Sequence, residues 1–162
     1  MSLESKPIPA AELRSAVESS KAYARLIALF DEGSMTEFDP LSVSEGKPAE
    51  VVAAFGLVNG INTCAFAQNS AIAGGAISKA SAAKIARVFD YALKVGTPIV
   101  GIYDSTGARL KQGNEMLAAI GDLLNRSGRH VVIFLYYTDA SKTQMVIIEQ
   151  GGGAWDTNTV SC

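Results

Sequence analysis

The sequence predicts an α/β fold in which a β-hairpin, a long helix and a buried strand follow one another. Three observations support this prediction. The run from Pro98 to Tyr103 is apolar without polar alternation, which is typical of a strand covered on both faces. Two β-type segments flank Asn59-Gly60, a strong two-residue hairpin signal. Apolar residues then recur at helical spacing before the buried strand. We therefore expect a ββα unit that continues into a βα unit, with nothing that requires a second domain.

The helices are predicted from the spacing of their apolar and small residues. A first helix, with Pro9 where it could start, is expected to end near Gly33; its stripe is Leu13, Val17, Ser20, Ala24 and Ile27. A loop is expected from Asp39 to Pro48. The long helix ends at Gly96-Thr97-Pro98, and its stripe is Ile77, Ser81, Ile85, Val88, Ala92 and Val95.

Composition limits the class of protein. The chain has 162 residues, of which 48% are hydrophobic and 19% charged, so a globular domain is expected. With 14 basic against 16 acidic residues and no basic run, nucleic acid is not an expected partner. Cys64 and Cys162 are too few for a disulfide framework and lack metal-ligand spacing, so no metal site is expected. The longest apolar run, Val131 to Tyr137, is far shorter than the ~18 residues of a membrane span, so we expect a cytoplasmic chain without direct membrane contact.

The carboxyl end of the buried strand is the first candidate site. The small-residue turn Asp104-Ser105-Thr106-Gly107-Ala108 follows the strand there, and a helical pattern begins near Glu115. A strand, a Gly-bearing turn and a helix start expose backbone N–H groups, which stabilise a phosphate or a developing oxyanion. An ordinary strand-to-helix turn explains the same pattern equally well.

A second segment of small residues lies before the long helix. Within Ala71 to Ala76, the pair Gly74-Gly75 would let a ligand or another backbone approach closely. Cys64 alternates with apolar neighbours in a strand, which favours a core position over a role as a nucleophile.

Four motifs resemble those of a known family. They are RLIALFDEGSMTEFD (residues 25–39), VVAAFGLVNG (residues 51–60), the segment 66–105 and TGARLKQG (residues 106–113). Their order and spacing are similar to those of the carboxyltransferase (beta) subunits of biotin-dependent acyl-CoA carboxylases and related decarboxylases. The resemblance covers roughly residues 20–124. It implies the N-terminal lobe of a crotonase/ClpP-like ββα superhelix.

The resemblance also implies a reaction and the groups that catalyse it. In this family a thioester carbonyl lies against backbone amides and an enolate forms at the neighbouring carbon, while carboxylated biotin supplies or accepts the carboxyl group. The amides of Thr106, Gly107 and Ala108 are then the candidate oxyanion donors. Each such donor is worth about 3 kcal/mol by analogy with other oxyanion holes. Thr106 departs from the family, which usually has a Gly at that position.

The implied acyl-CoA site includes a glycine loop and three cations. Gly74, Gly75 and Ala76 would shape the CoA pocket, and Lys79, Lys84 and Arg109 are candidates for the CoA phosphates. Each has a structural alternative. The two lysines beside an apolar stripe are typical of a solvated helix edge, and the glycines could simply allow helix and sheet to pack. Arg109 could equally form an ion pair with Asp104 or Glu115.

The implied partners lie outside this chain. Acyl-CoA and biotin are substrates rather than resident cofactors, and the partners are a biotin carboxyl carrier protein and a biotin carboxylase subunit. A full-length subunit is expected to form a homo-oligomer. The biotin-facing half of the site comes from a second lobe, so an isolated first lobe is expected to be inactive in carboxyl transfer. The acyl group and the direction, carboxylation or decarboxylation, stay open, and so does a decarboxylase subunit of a sodium-pumping complex.

The resemblance is not apparent after Asn125. We expect a carboxyltransferase lobe over residues 1–125 and a divergent tail over residues 126–162, in which VVIFLYY and MVIIE are predicted strands. The hypothesis is a shifted reading frame or a truncation near residue 125. The alternative function is a non-catalytic crotonase-like protein that binds CoA compounds or a partner subunit through the same loops.

Overall fold

The computed structural model describes residues 8–107, 118–123 and 126, together with the backbone of residues 132–137, 144–151 and 154–161. Three α-helices have defined bounds: α1 (Ala10–Glu18), α2 (Lys21–Leu29) and α3 (Lys79–Val95). A 3₁₀ turn spans Ala73–Gly75, and residues 118–123 are also helical. The strands are β1 (Thr36–Phe38), β2 (Val43–Ser44), β3 (Lys47–Pro48), β4 (Val51–Val58), β5 (Ile61–Gln68), β6 (Ile99–Ile102), β7 (Val132–Tyr137), β8 (Gln144–Gly151) and β9 (Ala154–Ser161).

One seven-stranded sheet organises these elements. Its order is β1-β4-β5-β6-β7-β8-β9, while β2 and β3 form a separate short pair within the segment expected to be a loop. Strands β5, β6 and β7 are parallel, and the other neighbours in the sheet are antiparallel. Helix α3 provides the crossover from β5 to the parallel β6. The predicted α/β fold with its ββα unit is therefore confirmed.

The predicted hairpin turn is also confirmed. Asn59 and Gly60 join β4 to β5 with φ values of 50° and 78°, the left-handed pair that a tight hairpin turn needs. Asp31 secures this turn, because its carboxylate accepts the N–H of Asn59 at 2.9 Å and that of Gly60 at 2.8 Å.

The prediction of one continuous helix from Pro9 to about Gly33 is wrong. The structure has two helices, because the chain leaves the helix at Ser19 and starts again at Ser20. The Ser20 side chain accepts the N–H of Tyr23 at 3.1 Å, which is the hydrogen bond of an N-cap. The restart changes the phase of the apolar face. Leu13, Val17, Ala22 and Leu26 are buried, whereas Ala24 and Ile27 are exposed.

The core lies on both faces of the central strands. Alternate residues of β4 and β5 contact α3 on one face and α1 and α2 on the other. The α3 cluster contains Val51, Ala53, Cys64, Phe66, Ile85, Val88, Phe89 and Ala92, and the second cluster contains Val17, Ala22, Leu26, Phe30, Val52, Ala54, Ala65 and Ala67. Strand β6 packs against both clusters, through Ile99 on one side and Val100 and Ile102 on the other. This layering explains its uninterrupted apolar sequence.

The two predicted strands of the C-terminal segment form as β7 and β8, and β9 was not predicted. Strand β7 pairs with β6 in parallel, so the described backbone of this segment continues the sheet. Among the described residues, no helix is long and apolar enough to cross a membrane.

Candidate functional site

The site lies where β6 ends and meets the glycine loop before α3. The two segments approach so closely that only glycine fits. A Cβ atom on Gly75 would lie 2.1 Å from the carbonyl oxygen of Asp104, and one on Gly74 would lie 2.9 Å from Oγ1 of Thr106. Gly75 therefore lies against the backbone of the turn after β6, and Gly74 lies against the Thr106 side chain of the same turn rather than against a helix face.

The glycine loop has an unusual backbone. Ala73, Gly74 and Gly75 have φ values of 47°, 65° and 68° in succession. Ala73 is not a glycine, so its left-handed conformation is strained, and such residues persist where the surrounding structure holds them. Gly75 and Ala76 are buried at the inner side of the loop.

Two backbone hydrogen bonds join the loop to the turn. The N–H of Thr106 donates to the carbonyl oxygen of Gly74 at 3.0 Å, and the N–H of Ile77 donates to that of Gly107 at 2.8 Å. The Thr106 amide thus already has an acceptor within the protein. It is not presented as an open donor, which differs from the arrangement expected for it.

Gly107 is exposed and is the last described residue of the turn. Its φ is 114°, and no described atom lies within 4 Å of the position a Cβ would take. Its N–H donates to the Ser105 hydroxyl oxygen at 3.0 Å, and that hydroxyl lies 3.2 Å from the Gly107 carbonyl oxygen. A side chain rather than the backbone therefore accepts this N–H. Ala108 and Arg109, the other residues expected here, lie outside the described part of the chain.

Asp104 begins the turn and is fixed from three directions. Its carboxylate accepts hydrogen bonds from the Arg25 guanidinium at 2.8 Å and from the Ser70 hydroxyl at 2.9 Å. Its own N–H donates to Oε1 of Gln68 at 3.1 Å. The hydrogen bonds from Arg25 and Ser70 lower the pKa of Asp104, so it is an anion at neutral pH. Arg25 is thus an ion-pair partner of Asp104. The pairing suggested for Arg109, with Asp104 or Glu115, concerns a residue outside the described part of the chain.

The two candidate lysines differ in environment. Lys79 is exposed at the first residue of α3. Lys84 is 2% exposed, and its ammonium group lies 3.4 Å from Oε1 of Glu37, itself nearly buried on β1. Burial lowers the pKa of Lys84, and the attraction of Glu37 opposes that shift. The solvated helix edge suggested for Lys84 is therefore wrong, because its ammonium group is buried beside Glu37.

Cys64 lies in the core rather than at this turn. Cys64, 1% exposed, belongs to the α3 cluster as predicted, and burial raises the pKa of its thiol, which keeps it protonated. No group of three or more metal-ligating side chains occurs among the described residues.

Sequence reasoning missed Arg25, Gln68 and Ser70. Arg25 lies 79 positions before Asp104, so no local spacing connects them. Gln68 ends an apolar strand, and a buried polar residue at a strand end is the one signal that could have indicated it.

The fold and this site define an α/β protein of the ββα type. Its candidate site is formed by the backbone of the turn after β6, which the glycine loop before α3 approaches closely. Comparison with known proteins gives the family. The carboxyl transferase domain model matches residues 19–134, which extends past Asn125 into β7. The chain belongs to the carboxyl transferase domain family, and the resemblance inferred from the motifs is confirmed.

Individual relatives agree with this assignment. The chain is 35% identical to the propionyl-CoA carboxylase beta chain of Roseobacter denitrificans, over 65% of this chain and 23% of that protein. It is 37% identical to the methylmalonyl-CoA decarboxylase subunit alpha of Propionigenium modestum, over 65% of this chain and 22% of that protein. The structure of transcarboxylase 12S has the same fold, with a TM-score of 0.66 at 24% identity over 74% of this chain and 28% of that one. The chain thus spans less than a quarter of the length of these two relatives.

Proposed function

We propose that this chain is the acyl-CoA-binding part of a biotin-dependent carboxyltransferase, and that the turn after β6 holds the thioester oxygen. One observation supports this above the others. The strained loop Ala73–Gly75 packs on the turn 104–107 at the carboxyl end of a parallel strand, where ligands of α/β sheets commonly bind. Strain of this kind is concentrated at functional sites.

The difficult species in the proposed reaction is an enolate. When a base removes a proton from the carbon next to the thioester carbonyl, or when a carboxyl group leaves that carbon, negative charge develops on the carbonyl oxygen. Backbone N–H groups aimed at that oxygen stabilise the charge without a proton transfer of their own. Carboxylated biotin, carried on a partner protein, would supply or accept the carboxyl group.

The donors we propose are the amides of Gly107 and Ala108. The Thr106 amide is bonded to Gly74, so its role is to hold the turn against the glycine loop. The Gly107 amide is bonded to the Ser105 side chain, which can rotate away when a thioester oxygen takes its place. This exchange needs no movement of the backbone.

The phosphates of CoA need cations near the same loops. We propose Lys79 and Arg109 for this role, and we withdraw Lys84 because its ammonium group is buried against Glu37. Gly74, Gly75 and Ala76 shape the loop that the CoA would follow.

The partners proposed for the whole protein are a biotin carboxyl carrier protein, a biotin carboxylase subunit and further copies of the carboxyltransferase subunit. The biotin-facing half of the site belongs to the second lobe in this family, so we propose that residues 1–125 provide the acyl-CoA half of the site. The chain alone is then expected to bind acyl-CoA without transferring a carboxyl group.

A second candidate is a non-catalytic CoA-binding protein with the same loops. The relatives include both a carboxylase and a decarboxylase by name, so the direction of the reaction is also open to test. Affinity for acyl-CoA does not distinguish the enzyme part from the non-catalytic binding protein, because both would bind it. Two assays, each run after a second lobe is supplied, distinguish an enzyme part from a binding protein. One measures carboxyl transfer from carboxybiotin to propionyl-CoA, and the other measures transfer from methylmalonyl-CoA to biotin.

The first test is the affinity of the full chain for propionyl-CoA, measured by calorimetry, with Gly107→Val as the variant. The new side chain would lie beside the Gly107 amide, where we propose that the thioester oxygen binds, so we expect binding to weaken by about tenfold or more. Gly33→Val is the matched control, because Gly33 also has a positive φ of 73° and no described atom within 4 Å of its Cβ position. Equal affinities for Gly107→Val and the control would remove Gly107 from the site.

A further inference from the structure

Asp104 joins the candidate turn to three other parts of the fold. Its carboxylate contacts Arg25 on α2 and Ser70 in the turn after β5, and its N–H contacts the side chain of Gln68 at the end of β5. Gln68 is 1% exposed, so one of these anchors lies in the core. The carbonyl group of Asp104 also lies against Gly75.

We propose that Arg25 is a positioning residue that fixes the turn 104–107 through Asp104, and so sets where the Gly107 amide points. This inference rests on the proposed function, because it gives Arg25 a role only if that amide receives the thioester oxygen. Arg25 itself is not assigned any contact with the substrate.

The other attachments of the turn explain why such an anchor is needed. Thr106 and Gly107 are hydrogen-bonded to the loop residues Gly74 and Ile77. These two bonds join the turn to the loop, and neither of them joins the turn to α2 or to the sheet. The Asp104 contacts tie the pair to α2 and to the sheet. A donor displaced by about 1 Å can cost a large part of the rate, which makes this tether functionally important.

The energetics favour a geometric role over a stabilising one. The side chains of Arg25 and Asp104 are 40% and 32% exposed, and exposed ion pairs of this kind contribute little to folding stability. Loss of Arg25 should therefore leave the fold intact while the turn loses one of its fixed points.

The experiment uses the full chain with propionyl-CoA that carries ¹³C at the thioester carbonyl. Infrared difference spectra report the carbonyl stretch, which moves to lower frequency when hydrogen-bond donors polarise the bond. We expect a downshift in the unmodified chain, and in Arg25→Gln a loss of about half of that downshift or more. The dissociation constant should change by no more than about threefold. Arg25→Lys should restore part of the downshift because it retains the charge.

The matched control is Arg87→Gln. Arg87 forms an exposed ion pair with Asp39 at 2.6 Å that also links two elements, and its loss should leave the carbonyl band unchanged. An unchanged carbonyl band in folded Arg25→Gln would overturn the inference. If binding weakened while the band stayed unchanged, Arg25 would be a direct contact of the CoA phosphates instead. Absence of a downshift in the unmodified chain would instead reject the proposed function, and this inference with it.

Folding is checked for each variant by circular dichroism. If Arg25→Gln does not fold, Asp104→Asn decides the question by the same criteria, because it removes the charge that pairs with Arg25 at 2.8 Å.

Discussion

Gly75 is subject to two constraints that a matched pair of substitutions can separate. Its φ is 68°, and a Cβ would come within 2.1 Å of the Asp104 carbonyl oxygen. Gly60 has a φ of 78° but no described atom within 4 Å of its Cβ position. The two residues therefore share the conformational cost of a side chain and differ in the close approach.

We expect Gly75→Ala to lower the free energy of unfolding more than Gly60→Ala does. The control should cost about 1–2 kcal/mol, the usual penalty for a side chain in the left-handed region. Gly75→Ala should cost about 1–3 kcal/mol beyond that, because the loop and the turn must separate. Urea unfolding at equilibrium measures both. Equal losses would mean that the backbones of residues 75 and 104 are not in contact in solution.

Ser105 competes with the proposed ligand for the Gly107 amide. Its hydroxyl oxygen accepts that N–H at 3.0 Å, so a thioester oxygen must displace it. Ser105→Ala removes the competitor, and we expect the affinity for propionyl-CoA to rise by about two- to fivefold, the size of one net hydrogen bond.

Calorimetry with the same ligand measures the Ser105→Ala effect. Ser19→Ala is the control, since the Ser19 hydroxyl also bonds only to nearby backbone, donating to the Ala16 carbonyl oxygen at 3.2 Å in an exposed part of the chain. Weaker binding by Ser105→Ala would show that the hydroxyl orders the turn for the ligand instead of occupying its place.

Among the secondary-structure elements, α3 and β1 are joined by a buried ion pair. Lys84 on α3 and Glu37 on β1 lie 3.4 Å apart, with side chains 2% and 9% exposed. Burial lowers the pKa of Lys84 and raises the pKa of Glu37, so desolvation disfavours both charges while their attraction opposes it. Such a pair costs much when broken and little when replaced as a whole.

We expect Lys84→Met to lower the free energy of unfolding by about 3–5 kcal/mol, because Glu37 would then be left in the interior without its cation. The double variant Lys84→Met/Glu37→Leu should recover most of that loss, since it removes both charges. Urea unfolding of the two single variants and the double variant gives the coupling. The affinity of the double variant for propionyl-CoA should equal that of the unmodified chain, and a clear loss of affinity would return Lys84 to the acyl-CoA site.

The first two helices show where sequence patterns stop being informative. Helical spacing holds throughout the predicted stripe of Leu13, Val17, Ser20, Ala24 and Ile27. The structure nevertheless ends one helix at Ser19 and begins the next at Ser20. A serine is acceptable inside a helix and favourable at an N-cap, so spacing alone cannot decide between the two. The decision is made by tertiary packing, because the restart turns Ala22 and Leu26 toward the sheet.

At the scale of the whole molecule, short sequence patterns predict the order of the helices and strands. The side-chain contacts of the candidate site depend instead on tertiary packing. Asn59-Gly60 and the run Pro98–Tyr103 carry their own structural preferences, so the hairpin and the central strand could be read directly. The Arg25–Asp104 pair joins residues 79 positions apart, and its partner choice depends on how α2 packs. The burial of Lys84 depends likewise on where β1 lies.

Glu50 directly precedes β4 and contacts the start of α3, so it joins the sheet to that helix. It is 1% exposed, and its carboxylate accepts hydrogen bonds from the hydroxyl groups of Ser78 at 2.5 Å and Ser81 at 2.6 Å. Ser78 is the N-cap of α3, where the helix dipole also favours an anion. Although burial alone raises the pKa of Glu50, the hydrogen bonds from Ser78, Ser81 and Ser44 outweigh that effect, and its pKa is lowered.

The lowered pKa of Glu50 makes the stability of the whole fold sensitive to acid. The carboxylate contributes stability that is fully present above the ordinary pKa of 4.5 and is lost as the pH falls through the lower pKa of the folded state. Glu50→Gln should therefore lower the free energy of unfolding at pH 7 by about 1–3 kcal/mol and flatten its decline below about pH 4.5. Asp104, whose pKa is also lowered, still contributes to the decline that remains. Urea unfolding at a series of pH values, with exposed Glu32→Gln as the charge control, measures both effects. A Glu50→Gln curve parallel to that of the unmodified chain below pH 4.5 would mean that another group drives acid unfolding.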